Sequence, residues 1–198
     1  MNTSVFDGLA SAYDLGMWPL ERLILARLRR RIFRAVQGTV LELGVGTGVN
    51  LPLYPEGCRV VGVDFSLDML RVARRKPCRA VLFLSQADVH YLPFPTATFD
   101  QVLGSLLFCS VADPLAALRE VRRVLCSPGR LLLLEHVRGM HPLMARLTDW
   151  LDHPWHAWSR SCHLNRETAA TVEEAGFTLV HSERHGLGLF QIIEAVSM

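Results

Sequence analysis

Between Thr39 and His136, short runs of Val, Leu and Ile alternate with longer stretches whose apolar residues return every three or four positions. Thr39–Leu43, Arg59–Asp64 and residues 80–86, 101–106 and 130–136 have the length of strands. Their near-continuous apolar character is that of strands covered on both sides. Such strands, alternating with helices, predict a parallel sheet with helices on both faces. Ser66 is placed to cap a helix ending near Lys76, and Asp113-Pro114 to cap and open one through Leu125, which Ser127-Pro128-Gly129 stops. Residues 166–175 read as a helix stopped by Gly176, followed by strands at 177–183 and 189–196. The connection at 184–188 is too short for a parallel crossover, so these two strands pair antiparallel. The sum is an α/β fold with a seven-stranded, mostly parallel sheet and an antiparallel last strand.

Two segments depart from this rhythm. Residues 139–165 hold three of the four Trp and four of the eight His, which marks them as an insertion. Residues 18–37 read as a helix with Ile24, Leu25, Leu28, Ile32 and Val36 on one stripe and Arg27, Arg30 and Arg34 opposite. A helix of this kind packs its stripe on its own domain and solvates its charges. The alternative is peripheral contact with an anionic membrane surface.

A length of 198 residues suits one domain, with 1–38 as an N-terminal helical segment and 139–165 as the insertion. The net charge of +2 argues against a nucleic-acid partner, although twenty of the twenty-one basic side chains are Arg. Uncharged stretches such as 101–112 are too short to span a bilayer, and no basic residue precedes Arg22 as a secretory signal would require. The expected location is the cytosol. Cys58, Cys78, Cys109, Cys126 and Cys162 are odd in number and widely spaced, with no C-x-x-C pair. They read as reduced thiols, not as a disulfide framework or a zinc knuckle.

The sharpest local signal closes the first strand: Leu41-Glu42-Leu43-Gly44-Val45-Gly46-Thr47-Gly48. Glycines there let the backbone turn tightly and approach a ligand. Twenty residues after Gly44, Asp64 ends the second strand, where a carboxylate accepts hydrogen bonds from ribose hydroxyls, and Asp88 follows the third. Three such positions at the carboxyl edge of a sheet define an adenosyl site. The spacing is G-x-G-x-G and not the G-x-G-x-x-G of nicotinamide sites, and no G-K-[ST] of a P-loop follows. Glu42 inside the turn would repel a pyrophosphate and suits the cationic sulfonium and ammonium end of S-adenosylmethionine. The competing reading is a structural glycine turn with solvent-facing acids.

Residues 41–48, Val63-Asp64-Phe65-Ser66, Ala87-Asp88 with Leu92-Pro93-Phe94 and Phe99-Asp100, and Arg123-Val124-Leu125 with Pro128-Gly129 resemble the ordered motifs of class I S-adenosylmethionine-dependent methyltransferases, which have a Rossmann-like fold. Phe6-Asp7 and Tyr13-Asp14 are similar to the ubiquinone/menaquinone C-methyltransferases and bacterial phospholipid N-methyltransferases. A closer resemblance, over residues 106–111, Leu134-Glu135-His136-Val137 and 155–167, is to the membrane-associated thiol S-methyltransferases and their bacterial relatives. One departure is Ser161, where that group usually has Gly. The resemblance implies that Glu42, Gly44, Gly46 and Gly48 surround the methionine moiety and that Asp64 holds the ribose. It implies further that Phe65 and Met69 flank the adenine, Asp88 and Val89 meet its edge, Leu106 lines the methyl channel and Tyr13 closes over the top. S-adenosylhomocysteine would be the product. For Phe65, Met69 and Leu106 plain core packing is the competing reading.

Methyl transfer from a sulfonium is an in-line displacement for which positioning and desolvation suffice. A thiol acceptor reacts as its thiolate, and His136, at the end of the fifth strand, is the candidate base, with a structural role as the alternative. Trp150, Trp155 and Trp158, with His153 and His156, are expected to wall a pocket for a small-molecule or lipid-like acceptor. No compact ligand motif unites His153, His156, Cys162 and His163, so no metal is expected. Three readings stand: a methyltransferase acting on a small or lipophilic acceptor, thiol favoured; phospholipid N-methylation or quinone C-methylation at a membrane surface; and a non-catalytic S-adenosylmethionine-binding protein.

Overall fold

The computed structural model describes residues 21–159 and 162–198, and of Arg22 and Trp158 the backbone alone. Seven strands, β1 (Thr39–Leu43), β2 (Arg59–Asp64), β3 (Val81–Gln86), β4 (Phe99–Ser105), β5 (Leu125–His136), β6 (Thr178–His185) and β7 (Phe190–Ser197), form one sheet in the order β3-β2-β1-β4-β5-β7-β6. β1 to β5 pair in parallel, and β7 runs antiparallel to both β5 and β6. The expected sheet is therefore present. One boundary differs: 127–129 does not separate helix from strand. β5 begins at Leu125, paired with Phe99, and the ladder resumes at Arg130 opposite Gln101, so the Ser-Pro-Gly turn is an irregularity inside the strand.

Residues 21–35 form one helical run, a π turn (Glu21–Leu25) leading into α1 (Ala26–Ile32) and closing in a 3-10 turn (Phe33–Ala35). α2 (Leu67–Ala73) is capped by Ser66, whose Oγ accepts from the Met69 N–H at 3.3 Å. α3 (Pro114–Val124) is capped by Asp113, which accepts from Ala116 N–H at 3.0 Å. α4 (Pro142–Ser159) is the body of the insertion, and α5 (Thr168–Glu174) precedes β6. α2 stops three residues before Lys76 because the chain tightens into turns, Arg75 N–H bonding Val72 O and Lys76 N–H bonding Ala73 O.

Strand alternation sends Leu41, Leu43, Val102, Leu131 and Leu133 to one face, against Leu118, Val121 and Val172 of α3 and α5. Val40, Val60, Leu103, Leu132 and Leu134 go to the other, against Leu25, Leu28 and Ile32 of the N-terminal helix and Leu70 and Ala73 of α2. Each such Leu contributes about 1.5–3 kcal/mol of transfer free energy. Arg27, Arg30 and Arg34 stay exposed, so within the described residues the first helix packs its stripe on the sheet. Segment 139–165 is tied at Asp149 to Arg138 at 2.7 Å, and its flanks are joined by Arg184, which bonds Glu167 at 3.1 Å and the Arg138 carbonyl.

Candidate functional site

The strand order reverses between β1 and β4, and the carboxyl ends of β1, β2, β4 and β5 lie side by side there, at the edge where open α/β sheets bind ligands. Gly44, Gly46 and Gly48 all hold left-handed backbones, which glycine adopts without steric cost. Their surroundings differ. A Cβ on Gly48 would lie 2.8 Å from Leu51 and 3.0 Å from the Ala73 backbone, and one on Gly44 would strike Leu107, so packing demands both. At Gly46 the nearest atom would be 3.9 Å away, so that face of the turn is bare backbone open to a ligand.

Asp64 organises the turn. One carboxylate oxygen accepts the Gly46 N–H at 2.8 Å and the other the Ser66 N–H at 2.9 Å, and Val45 N–H bonds Val63 O. Burial pushes the Asp64 carboxyl upward, against the N–H groups of Ser66, Gly46 and Phe65. The side chain is half-exposed, and each oxygen keeps a lone pair for an incoming hydroxyl.

Glu42 lies beneath the turn, 1% exposed. It accepts from Asn50 Nδ2 at 2.7 Å and Tyr54 OH at 2.9 Å, Asn50 accepts from Arg29 at 2.8 Å, and Arg29 pairs with Glu21 at 3.1 Å. Burial raises the Glu42 pKa to about 7, opposed by the Asn50 and Tyr54 hydrogen bonds and the Arg29 charge. Such a group, buried beneath the turn, acts on a ligand through its charge and not by direct contact. Arg29, Asn50 and Tyr54 were not legible as site residues, because the network joins a helix, a turn and a strand far apart in sequence.

Asp88 accepts both the backbone N–H and Nδ1 of His90, the latter at 2.6 Å. Burial pushes its carboxyl upward, but the His90 contacts outweigh this and hold it below the usual range. Phe65 is half-buried, whereas Met69 and Val89 are buried in the interior beside these acids. Leu106 takes a left-handed backbone at the end of β4, a costly conformation for a branched residue. The strain is held in place by Glu135 of β5. Its fully buried carboxylate accepts the N–H groups of Leu107, Phe108 and Cys109 at 3.0, 3.1 and 3.3 Å. Burial raises the Glu135 pKa to about 7 in spite of those three donors. The signal for Glu135 was a charge inside an otherwise apolar strand.

His136 follows, edge-to-face with Phe190 at 5.6 Å. Burial lowers its pKa, so the ring is neutral at pH 7, and its buried Nδ1 has no partner among the described residues. Among the described residues the aromatic side chains of 139–165 face different ways. The turn of α4 puts Trp150, 74% exposed, and His153 on the outside with Leu143 and Leu147, while His156 turns inward and stacks on His163 at 4.1 Å. Trp155 is 40% exposed, the Trp158 side chain is not described, and Tyr13 lies outside the described residues. Among the described residues no cluster of three or more His, Cys, Asp or Glu could hold a metal, and no helix is long and apolar enough to cross a membrane.

A methyltransferase-domain family matches residues 41–133, the span from the glycine turn to β5. Thiol S-methyltransferase TMT1A of Homo sapiens is 32% identical over 178 residues, covering 84% of this chain and 70% of the relative. The chain belongs to the S-adenosylmethionine-dependent methyltransferase family. Within it, thiol S-methyltransferase TMT1B of Rattus norvegicus is 34% identical over 73% of this chain and 62% of the relative. Phosphatidylethanolamine N-methyltransferase of Cereibacter sphaeroides is 41% identical over 54% and 56%. The chain thus spans under two thirds of the length of these two curated relatives. The fold is that of an S-adenosylmethionine-dependent methyltransferase of Thermotoga maritima, titled a possible histamine N-methyltransferase, at a TM-score of 0.76 and 23% identity, covering 99% of both chains. The site fits the family's cofactor: a bare Gly46 backbone beside a half-exposed Asp64, with a charge-balanced Glu42 below.

Proposed function

We propose that this chain transfers a methyl group from S-adenosylmethionine to the sulfur of a small, lipophilic thiol. The observation that carries the reading is the similarity to thiol S-methyltransferases over 84% of the chain, which extends through the insertion and so beyond the cofactor motifs. When bound, the cofactor supplies an electrophilic methyl on a sulfonium. The chain's own part is as follows. Asp64 would accept the ribose hydroxyls while its bonds to the Gly46 and Ser66 N–H groups fix the turn, the acidic Asp88 would meet the adenine edge, and Glu42 would balance the sulfonium charge from below. Phe65, Met69, Val89 and Leu106 would supply apolar contact around adenine and methyl. Neutral His136 is the candidate to take the acceptor's thiol proton before sulfur attacks the methyl carbon in line.

A second reading, phospholipid or quinone methylation with peripheral membrane contact, is favoured by one observation. Leu143, Leu147 and Trp150 form an outward apolar face on α4 beside exposed Arg146. The deciding experiment measures S-adenosylhomocysteine release across alkyl thiols, phosphatidylethanolamine and demethylmenaquinone. Turnover with thiols alone is expected. Turnover confined to the lipids would overturn the first reading, and none with any acceptor would favour a cofactor-binding role.

A further inference from the structure

We infer that Cys109 and Cys162 form an oxidisable dithiol, closed to a disulfide by a peroxide, that ties the loop after β4 to the segment after α4. The two cysteines lie far apart in sequence, and the backbone bond between His163 and Cys109 sets them side by side. The contact is held by the backbone around it. His163 N–H donates to the Cys109 carbonyl at 2.8 Å, Arg166 donates to the Val111 carbonyl at 2.9 Å, and Asp152 pins the same segment through Leu164 N–H and His163 Nδ1. On the other side Glu135 fixes the Cys109 backbone. Both loop segments are thus tied down beside one another.

The environments assign different roles to the two sulfurs. Cys162 is half-exposed, its sulfur 3.8 Å from the His163 carbonyl, with the Cys109 thiol, the Trp155 indole and the Arg166 charge nearby. The Cys109 contact lowers the Cys162 thiol pKa, against burial and the Asp152 charge. Cys109 is 2% exposed, its sulfur 3.6 Å from the Leu106 carbonyl, and the neighbouring Cys162, burial and the Glu135 charge push its thiol upward and keep it protonated. Cys162 is therefore the nucleophile and Cys109 the resolving thiol. The Cys162 thiolate attacks hydrogen peroxide, forming an S–O bond as the O–O bond breaks, and the departing hydroxide takes a proton to become water. Cys109 then attacks the sulfenic sulfur, forming the S–S bond and expelling hydroxide, which leaves as a second water with the thiol proton. Two thiols lose two electrons in total, and peroxide is reduced to two waters.

The bond would join the loop carrying strained Leu106 to the insertion, so oxidation is expected to restrain the acceptor side of the crevice. The test does not depend on the acceptor. Full-length protein is treated with graded hydrogen peroxide, its free thiols are counted, and non-reduced peptides are mapped by mass spectrometry. Of the five thiols, two should be lost first and regained with dithiothreitol, with the crosslink mapped to Cys109 and Cys162. Cys162→Ser, at a half-exposed position, should lose neither thiol at the same dose. Cys109→Ser should accumulate a dimedone-reactive sulfenic acid on Cys162. Cys58 and Cys78 also lie within range of each other's charge, so a crosslink mapped to them instead would overturn the proposal. So would equal thiol loss in Cys162→Ser, or a wild type whose surface Cys126 oxidises before any pair closes.

Discussion

At the scale of single residues, the chemistry rests on three buried or half-buried acids with different neighbours. Asp64 is the one whose loss should be felt first by the cofactor. Asp64→Ala removes the acceptor of two backbone N–H groups and, on the proposed reading, of the ribose hydroxyls, and hydrogen bonds to a charged group are worth about 1.5–3 kcal/mol each. Calorimetry should show S-adenosylmethionine binding at least ~10-fold weaker, and unchanged affinity would refute the assignment. Glu135 works on the protein itself. Glu135→Ala strands three buried N–H groups, so chemical denaturation should report a loss of about 3–5 kcal/mol. Glu42 and Glu135 also set a pH dependence. Each titrates at about 7 in the fold against an ordinary 4.5, so folding binds extra protons between those values. The stabilisation is full below about pH 4.5 and is lost as pH rises through about 7, at no more than ~1.4 kcal/mol per pH unit for each group. The lowered His136 pKa acts in the opposite sense, adding stability as pH rises through its ordinary 6.5. The clean readout is thus a difference: wild type minus Glu135→Gln should fall in stability from pH 5 to pH 7. A flat difference would show that Glu135 ionises normally.

At the scale of elements, the glycine turn separates two demands that look alike in sequence. Gly46→Ala pays a left-handed backbone cost of roughly 1 kcal/mol but meets no atom within 3.9 Å, so the fold should survive while cofactor affinity drops. Gly48→Ala meets Leu51 and the Ala73 backbone at about contact-breaking range, 2.8 and 3.0 Å, and should cost roughly 2–3 kcal/mol of stability. Thermal melting and ligand titration on both variants distinguish the roles; equal destabilisation would refute them. The strands and caps were legible because burial on both faces leaves a continuous apolar run, and because Ser66 and Asp113 sit where free N–H groups need acceptors. The bulge inside β5 was not. A Ser-Pro-Gly sequence signals a turn, and only the neighbouring strand decides that the ladder resumes beyond it.

At the scale of the whole molecule, the helices divide between the two faces of the sheet, and α4 keeps an outward apolar face. Replacing Leu147 and Trp150 together by Ala should leave stability within about 1 kcal/mol, since both side chains are exposed. If that face meets lipid, the same variant should lose co-sedimentation with anionic vesicles, and equal sedimentation of both proteins would remove the membrane reading. The sequence by itself determined the parallel sheet, the antiparallel pair, the glycine turn and the acids Asp64 and Asp88. Each is written in local periodicity or in spacing along a strand-turn-helix unit. Only the tertiary structure decided that Glu42 is served by Asn50 and Tyr54 with Arg29 behind Asn50, that Glu135 holds the Leu106 loop, and that the His163 backbone bonds the Cys109 carbonyl. It also decided that Trp150 faces outward while His156 turns in. These depend on which distant segments pack together, and local pattern fixes the face a residue points from without fixing what lies opposite.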